Sequence, residues 1–492
     1  MTEKENNSLK EKVFSGFAWS FGERILAQVV SLAVSVVLAR MLAPSEYGII
    51  AMVLVFINIA DVFAHGGFGE ALVQKKEPTE ADYSTIFYYT LVVSLFIYAL
   101  LFLGAPYIAS FYKTEQMVWV LRVLAFKIIL SSVSTIQHAY VQKRMMFKKF
   151  FFSTLSGTLI SGVVGIVCAY WGFGVWALVA QYLSNSLIDM CVLFFSVPWR
   201  PKLLFSMESA RSLMPLGWSF LGTNLVNAAY HELRSLVIGK KYTSADLAFY
   251  NRGDQIPSLA ISNINSTIGR VVYPAMTTAN TPIELKRIGR RTLMTTSYLI
   301  FPLMMGMIIT APSIVSILYT DKWSEAVVYM QILCIYWMTQ PIQTANWQIL
   351  KALGRGDLCL KLEILKKLIG IALIVGSMMI SVKAVAVSAV AHGIISMIIN
   401  IIPNTKLIRY SLKEQLSDLF PAAMAAAAMG VAVYALSLMI SNTIILLIVQ
   451  IGTGILVYWG LSVLFKMEAY YYLHTLIKGN AINMLFRKLI PW

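Results

Sequence analysis

Residues 19–48 read WSFGERILAQVVSLAVSVVLARMLAPSEYG, a run long and apolar enough to cross a bilayer that nevertheless carries Glu23, Arg24 and Gln28 inside it. The hydrocarbon core needs about 20 predominantly apolar residues per helix, and a lone charge near its centre costs at least ~2.5–3.5 kcal/mol. Ser20, Arg24, Gln28, Ser31 and Ser35 recur at steps of four, four, three and four, which sets them on one face of a helix. A membrane helix with such a stripe faces something other than lipid, and that points to transport.

The rest of the chain repeats the pattern. Apolar stretches lie near 13–40, 47–72, 84–105, 117–141, 150–171, 174–197, 211–238, 245–275, 291–312, 325–350, 357–381, 383–403, 417–440 and 443–465. With 58% hydrophobic residues, the composition excludes a soluble core wrapped in a polar shell. The longest connections, near 198–210 and 276–290, leave no room for a separate domain of ~50 residues. The expectation is an all-α polytopic membrane protein of fourteen transmembrane helices.

The net charge of +16 is a topology signal, because basic loops stay cytoplasmic. With the N-terminus inside, Lys75, Lys148, Lys149, Arg290, Arg291, Lys406 and most other bases face the cytoplasm, against Arg40, Lys113, Lys240, Lys241, Lys322 and Lys383 outside, a ratio of roughly four to one. Both termini are expected in the cytoplasm. The bases do not gather on one soluble face, so no nucleic-acid partner is expected. The N-terminus has no signal-peptide cleavage pattern. Cys168, Cys191, Cys334 and Cys359 occur singly, without metal-ligand spacing, so neither disulfide, metal site nor cofactor is expected.

The chain also duplicates itself. Ala105, Pro106, Ile108 and Ser110 align with Ala311, Pro312, Ile314 and Ser316 at a shift of 311 − 105 = 206, and Ile136, Gln137, Ala139 and Gln142 fall on Ile342, Gln343, Ala345 and Gln348 at the same shift. Trp19, Ser20 and Phe21 match Trp218, Ser219 and Phe220 at a shift of 199. Six spans therefore repeat as six more in the same direction, the arrangement in which substrate binds between two rocking halves. The expected organisation is a lobe over 1–200, a second over 201–410, two extra helices within 411–465, and an aromatic and basic tail over 466–492 lying on an anionic leaflet, outside both lobes.

Both copies carry polar stripes on their first two spans: Asn58, Asp61 and His65 follow the first stripe, while Asn224, Asn227, His231 and Arg234, then Asn251, Gln255, Ser258, Ser262 and Asn265, make the second pair. Such residues can simply hold helices together. Their pairing across the repeat and the inclusion of Arg and Asp favour a water-filled cavity. Arg122 and Arg234 lie near the outer boundary, where long side chains reach the headgroups. Arg24 and Lys127 lie nearer mid-span, where that escape is hardest. His231, Glu232 and Arg234 lack the second histidine of a zinc-protease motif. The slight excess of intramembrane bases suits an anionic or phosphorylated cargo, which arginine binds in a bidentate fork. The acids Glu23, Asp61, Glu232 and Asp254 leave room for a proton- or sodium-linked step.

Several segments then resemble one family. They are Leu38-Ala39-Arg40-Met41-Leu42 with Pro44, Tyr47 and Gly48, ALVQK (71–75), GFGVWAL (172–178), Trp199-Arg200-Pro201, FYNR (249–252) and RVVYP (270–274). Their order resembles the Wzx-type repeat-unit flippases, especially the colanic-acid-like branch, among the polysaccharide exporters of the multidrug/oligosaccharidyl-lipid/polysaccharide superfamily. The resemblance runs from about residue 10 to 465. It implies two six-helix lobes plus two helices, a central cavity, alternating access, and transfer of undecaprenyl-pyrophosphate-linked oligosaccharides across the bacterial cytoplasmic membrane for surface polysaccharide synthesis.

On this reading Arg24, Lys127, Arg252 and Arg270 attract the pyrophosphate or acidic sugars, and Gln28, Asn224, Asn227 and Gln255 contact sugar hydroxyls. Glu23, Asp61, His65 and Asp254 are the candidates for ion coupling. The partners are the lipid-linked substrate, membrane lipids and the polysaccharide polymerase machinery, and the protein works as a monomer. Two alternatives stand: a multidrug exporter of the same superfamily, which prefers an acidic cavity, and a membrane-embedded glycan polymerase, which needs an extramembrane catalytic loop this chain lacks. No enzyme activity is expected.

Overall fold

A computed structural model describes residues 22, 26–65 and 67–478. Among these every regular element is helical: α1 Leu26–Met41, α2 Pro44–His65, α3 Phe68–Gln74, α4 Glu80–Tyr112, α5 Met117–Leu124, α6 Phe126–Lys143, α7 Phe147–Tyr170, α8 Val175–Ser196, α9 Met207–Lys241, α10 Ser244–Thr277, α11 Pro282–Tyr319, α12 Ala326–Met338, α13 Gln340–Ala352, α14 Gly356–Ser377, α15 Val382–Leu407, α16 Leu412–Ser437, α17 Thr443–Leu464 and α18 Glu468–Lys478. Nine stretches among the described residues are long and apolar enough to cross a membrane, fewer than the fourteen expected. At 35 and 34 residues, α9 and α10 have ample length for a bilayer, but their polar stripes keep them off that count.

The two copies are built with the same local chemistry. In α2 the Glu46 carboxylate accepts from the Ala43 backbone N–H at 2.7 Å, and at a shift of 246 − 46 = 200 the Asp246 carboxylate accepts from Thr243 N–H at 3.0 Å. Helix α4 opens on a reciprocal cap, Thr79 and Asp82 each accepting the other's backbone N–H at 3.2 and 2.8 Å. The matching start of α11 has Thr281 accepting from Glu284 N–H at 3.2 Å. These caps satisfy amide donors that the first helical turn leaves open. Pro106 and Pro312 occupy the interiors of α4 and α11, and both helices end at a non-glycine residue of positive φ, Lys113 (55°) and Thr320 (72°).

The chain divides into two compact units, one ending at Ala248 and the other beginning at Phe249. The packing division thus falls one long helix later than the sequence repeat at 200/201, because α9 packs against α2, α3 and α4. In the first unit a core forms around Phe68, Leu72, Ile86, Ile136, Leu193 and Trp199, with Leu213 and Leu221 of α9 joining it. In the second, α11, α13, α15 and α16 share a core that includes Leu285, Phe301, Ile349, Tyr410 and Met429. Met467, Ala469 and Leu473 pack into that same core, so the start of the expected surface tail is an integral part of the second unit.

Candidate functional site

In the first unit α9 is fastened to its neighbours at three levels. At one end a Cβ on Gly239 would stand 3.0 Å from Met52 and Tyr112, and just past α9 Gly48 lies so close to Ser244, the first residue of α10, that a Cβ would stand 1.8 Å from its carbonyl oxygen. At the other end Gly67 (φ +107°) lies against the Gly217 carbonyl, and Gly217 itself against the Phe68 ring. Between them the Asn58 amide of α2 donates to the Glu232 carboxylate at 2.9 Å. Asn58 from the second stripe therefore meets a carboxylate outside the third. Small residues let backbones approach, and a side-chain hydrogen bond sets the register within apolar surroundings.

In the third stripe itself Asn227 and His231 are exposed, and Asn224 and Arg234 are half-buried. Gln28 on α1 and Asp61 on α2 are half-buried as well. Lys127 is the second residue of α6, just past the break at Ala125 that separates α5 from α6. It is half-buried and pairs with nothing among the described residues. Glu23 and Arg24 lie outside the described residues, as do the side chains of His65 and Arg270.

The second unit brings Arg252 and Gln255 together. The Arg252 guanidinium donates to the Gln255 side-chain oxygen and lies 5.3 Å from the ring centroids of both Tyr319 and Trp323. Only 7% of Arg252 is exposed and Trp323 is fully buried. This is a cation held between aromatic faces, and Tyr319 also reaches Gln255 at 3.5 Å. The Trp337 indole N–H donates to Asp254 at 2.8 Å, while Thr344 donates to Asn265 at 3.2 Å. Arg252, Gln255 and Asp254 are thus engaged with protein groups, whereas Ser262 on the same helix is exposed.

Two polar clusters escaped the sequence reading. In the first unit Asp189 of α8 lies 3.0 Å from His138 of α6 and accepts from Ser153 of α7; its signal was a single carboxylate inside an otherwise uncharged span. In the second, the Arg290 guanidinium grips Asp418 at 2.9 and 3.0 Å and Glu468 at 2.9 and 3.1 Å. Tyr410 donates to Asp418 at 2.8 Å. Burial, aided by the Asp418 carboxylate, pushes the Tyr410 hydroxyl well above its ordinary value and keeps it a donor. Partners 128 and 178 residues away leave no local trace in sequence.

Comparison with known proteins bears on this arrangement. The teichuronic acid biosynthesis protein TuaB of Bacillus subtilis (strain 168) is 25% identical over 448 residues, covering 88% of this chain and 90% of that protein. The lipopolysaccharide biosynthesis protein WzxC of Escherichia coli (strain K12) is 23% identical over 398 residues, covering 80% and 81%. Among solved structures, the lipid II flippase MurJ in an inward closed conformation superposes with a TM-score of 0.74 at 16% identity, covering 92% of this chain and 98% of that one. An inward-facing multidrug resistance transporter of the MOP superfamily gives 0.60 at 13%, covering 80% and 98%. The fold is accordingly shared with both of these solved structures. Residues 37–328, or 328 − 37 + 1 = 292 of the chain's 492, match the family described as "Polysaccharide biosynthesis protein", and the chain belongs to that family.

Proposed function

We propose that this protein is a flippase that carries undecaprenyl-pyrophosphate-linked oligosaccharides from the cytoplasmic to the outer leaflet of a bacterial membrane by alternating access, feeding surface polysaccharide synthesis. The observation that carries the reading is the exposure of polar residues on two long helices, Asn227 and His231 on α9 and Ser262 on α10, in a chain with nine helices long and apolar enough to cross a membrane among its described residues. Exposed amides and hydroxyls at membrane depth are tolerated where they line water, and a sugar chain needs such a path. Similarity to proteins of teichuronic acid and lipopolysaccharide synthesis supports a glycan cargo, and the resemblance to a lipid II flippase supports a lipid carrier.

In this reading both termini are cytoplasmic, the working unit is a monomer, and a polymerase receives the product. Arg24, Lys127, Arg252 and Arg270 attract the pyrophosphate or acidic sugars, and Gln28, Asn224, Asn227 and Gln255 meet sugar hydroxyls. Asp61, Asp254, Glu23 and His65 are the groups offered for ion coupling. The test is a deletion strain without a redundant flippase: surface polymer should disappear and lipid-linked repeat units accumulate on the cytoplasmic side, both reversed by the gene on a plasmid. Normal polymer in the deletion strain would overturn the assignment.

A further inference from the structure

One end of the second unit collects charge in an uneven way. Its acids are consumed internally: Glu284 pairs with Arg287 at 4.0 Å, Glu414 with Lys286 at 2.7 Å, and Asp418 and Glu468 share Arg290 at 2.9 Å each. Its remaining bases, Arg291, Lys406, Arg409, Lys413 and Lys466, are all exposed and form no ion pair among the described residues. Beside them Phe420, Leu464, Phe465 and Tyr471 are also exposed, and Arg291 lies over the Tyr472 ring at 5.2 Å. The result is a cationic rim bordered by an apolar collar.

Two of these bases occupy positions the backbone would rather give to glycine. Arg409, between α15 and α16, has φ 53°, and Lys466, between α17 and α18, has φ 48°. At the second turn Met467 N–H reaches Ser462 O at 3.0 Å and Lys466 N–H reaches Val463 O at 3.2 Å, the paired bonds of a helix end whose left-handed residue is most often glycine. A positive charge there complements the helix dipole, but a basic residue one position earlier would do the same without a Cβ in the left-handed region. The side chain at each turn is retained against the backbone's preference.

We propose that this end of the second unit is a docking surface for anionic phospholipid, with Arg291, Arg409, Lys413 and Lys466 on the headgroup phosphates and the collar against the first acyl methylenes. A soluble phosphate would match the rim and ignore the collar; a neutral lipid would match the collar and ignore the rim. Each basic residue near an anionic surface is worth about fivefold in affinity, so four act together. Arg290 serves the same surface indirectly, since its grip on Glu468 holds α18 and Tyr472 in place. This does not depend on the transport reading, and its test uses no transport.

The purified full chain in detergent is heated with dioleoylphosphatidylglycerol, dioleoylphosphatidylcholine or inorganic pyrophosphate. The wild type should gain thermal stability with phosphatidylglycerol well beyond the other two, and the gain should shrink as salt rises. The Arg409→Gly/Lys466→Gly variant removes two charges while relieving two left-handed side chains. Without anionic lipid it should melt at or above the wild-type temperature, and its gain with phosphatidylglycerol should fall by at least half. Arg409→Lys/Lys466→Arg should keep the gain. An undiminished gain in the glycine variant, an equal gain with phosphatidylcholine, or an equal gain with pyrophosphate would each overturn the proposal, the last by assigning the rim to a free polyphosphate.

Discussion

The hydrogen bond from Asn58 to Glu232 makes these two residues a test of what the polar stripes do. Leaving Glu232 without its donor in apolar surroundings should cost ~1–3 kcal/mol, so Asn58→Leu should lower the unfolding temperature in detergent. Replacing both residues by leucine should recover most of that loss, because two apolar groups of similar shape leave nothing unsatisfied. If the double variant is stable and exports polymer normally, Glu232 serves packing alone. Arg252 invites a different substitution. Arg252→Lys keeps the charge and loses the planar stack on Tyr319 and Trp323, which should destabilise by ~0.5–2 kcal/mol in the same unfolding measurement. Arg24 tests the cargo: Arg24→Ala should abolish polymer export with the protein still in the membrane, and Arg24→Lys should restore it only partly, since lysine lacks the bidentate fork. A drug exporter with an acidic preference predicts unharmed or improved cation efflux from Arg24→Ala.

At the scale of elements, the close approach of α2 to the start of α10 and the packing of α18 carry the sharpest expectations. A Cβ on Gly48 would stand 1.8 Å from backbone, which no side-chain rotation relieves, so Gly48→Ala should sharply reduce the yield of folded protein in detergent extracts. Among the described residues a Cβ on Gly222 would meet nothing within 4 Å, and alanine there serves as the silent control. For α18, removal of residues from 467 onward strips Met467, Ala469 and Leu473 from the core and frees Arg290 from Glu468. That truncation should destabilise the second unit relative to the full chain. Equal stability of the truncated and full chains would show that α18 adds nothing to the fold. Helix α18 also illustrates what composition can read. Its aromatic and basic residues announced a surface segment, but its docking depends on Arg290, far away in sequence.

For the molecule as a whole, the proposed orientation is tested by accessibility. Cysteine tags near Lys148 and Arg290 should react only with reagent on the cytoplasmic face, and tags near Lys113 and Lys322 only from outside; reaction of all four from one face would refute it. The helical class and its duplication were legible because apolar length and a repeated Ala-Pro block are local signals. The placing of polar stripes on α9 and α10 was legible because a polar residue every three or four positions has a helical period. The partners of Arg252 were not, since Tyr319 and Trp323 are brought to it by the fold, and neither was the His138–Asp189 pair on separate helices.

The three-level fastening of α9 has a further consequence during synthesis. Helix α3 ends at Gln74 and α9 ends at Lys241, so 241 − 74 = 167 residues separate the end of α3 from the end of the helix that packs on α2 and α3. At ~5–20 residues per second their synthesis takes ~8–33 s. Until α9 has been made, Asn58 and Gly67 wait for the helix that covers them in the finished fold.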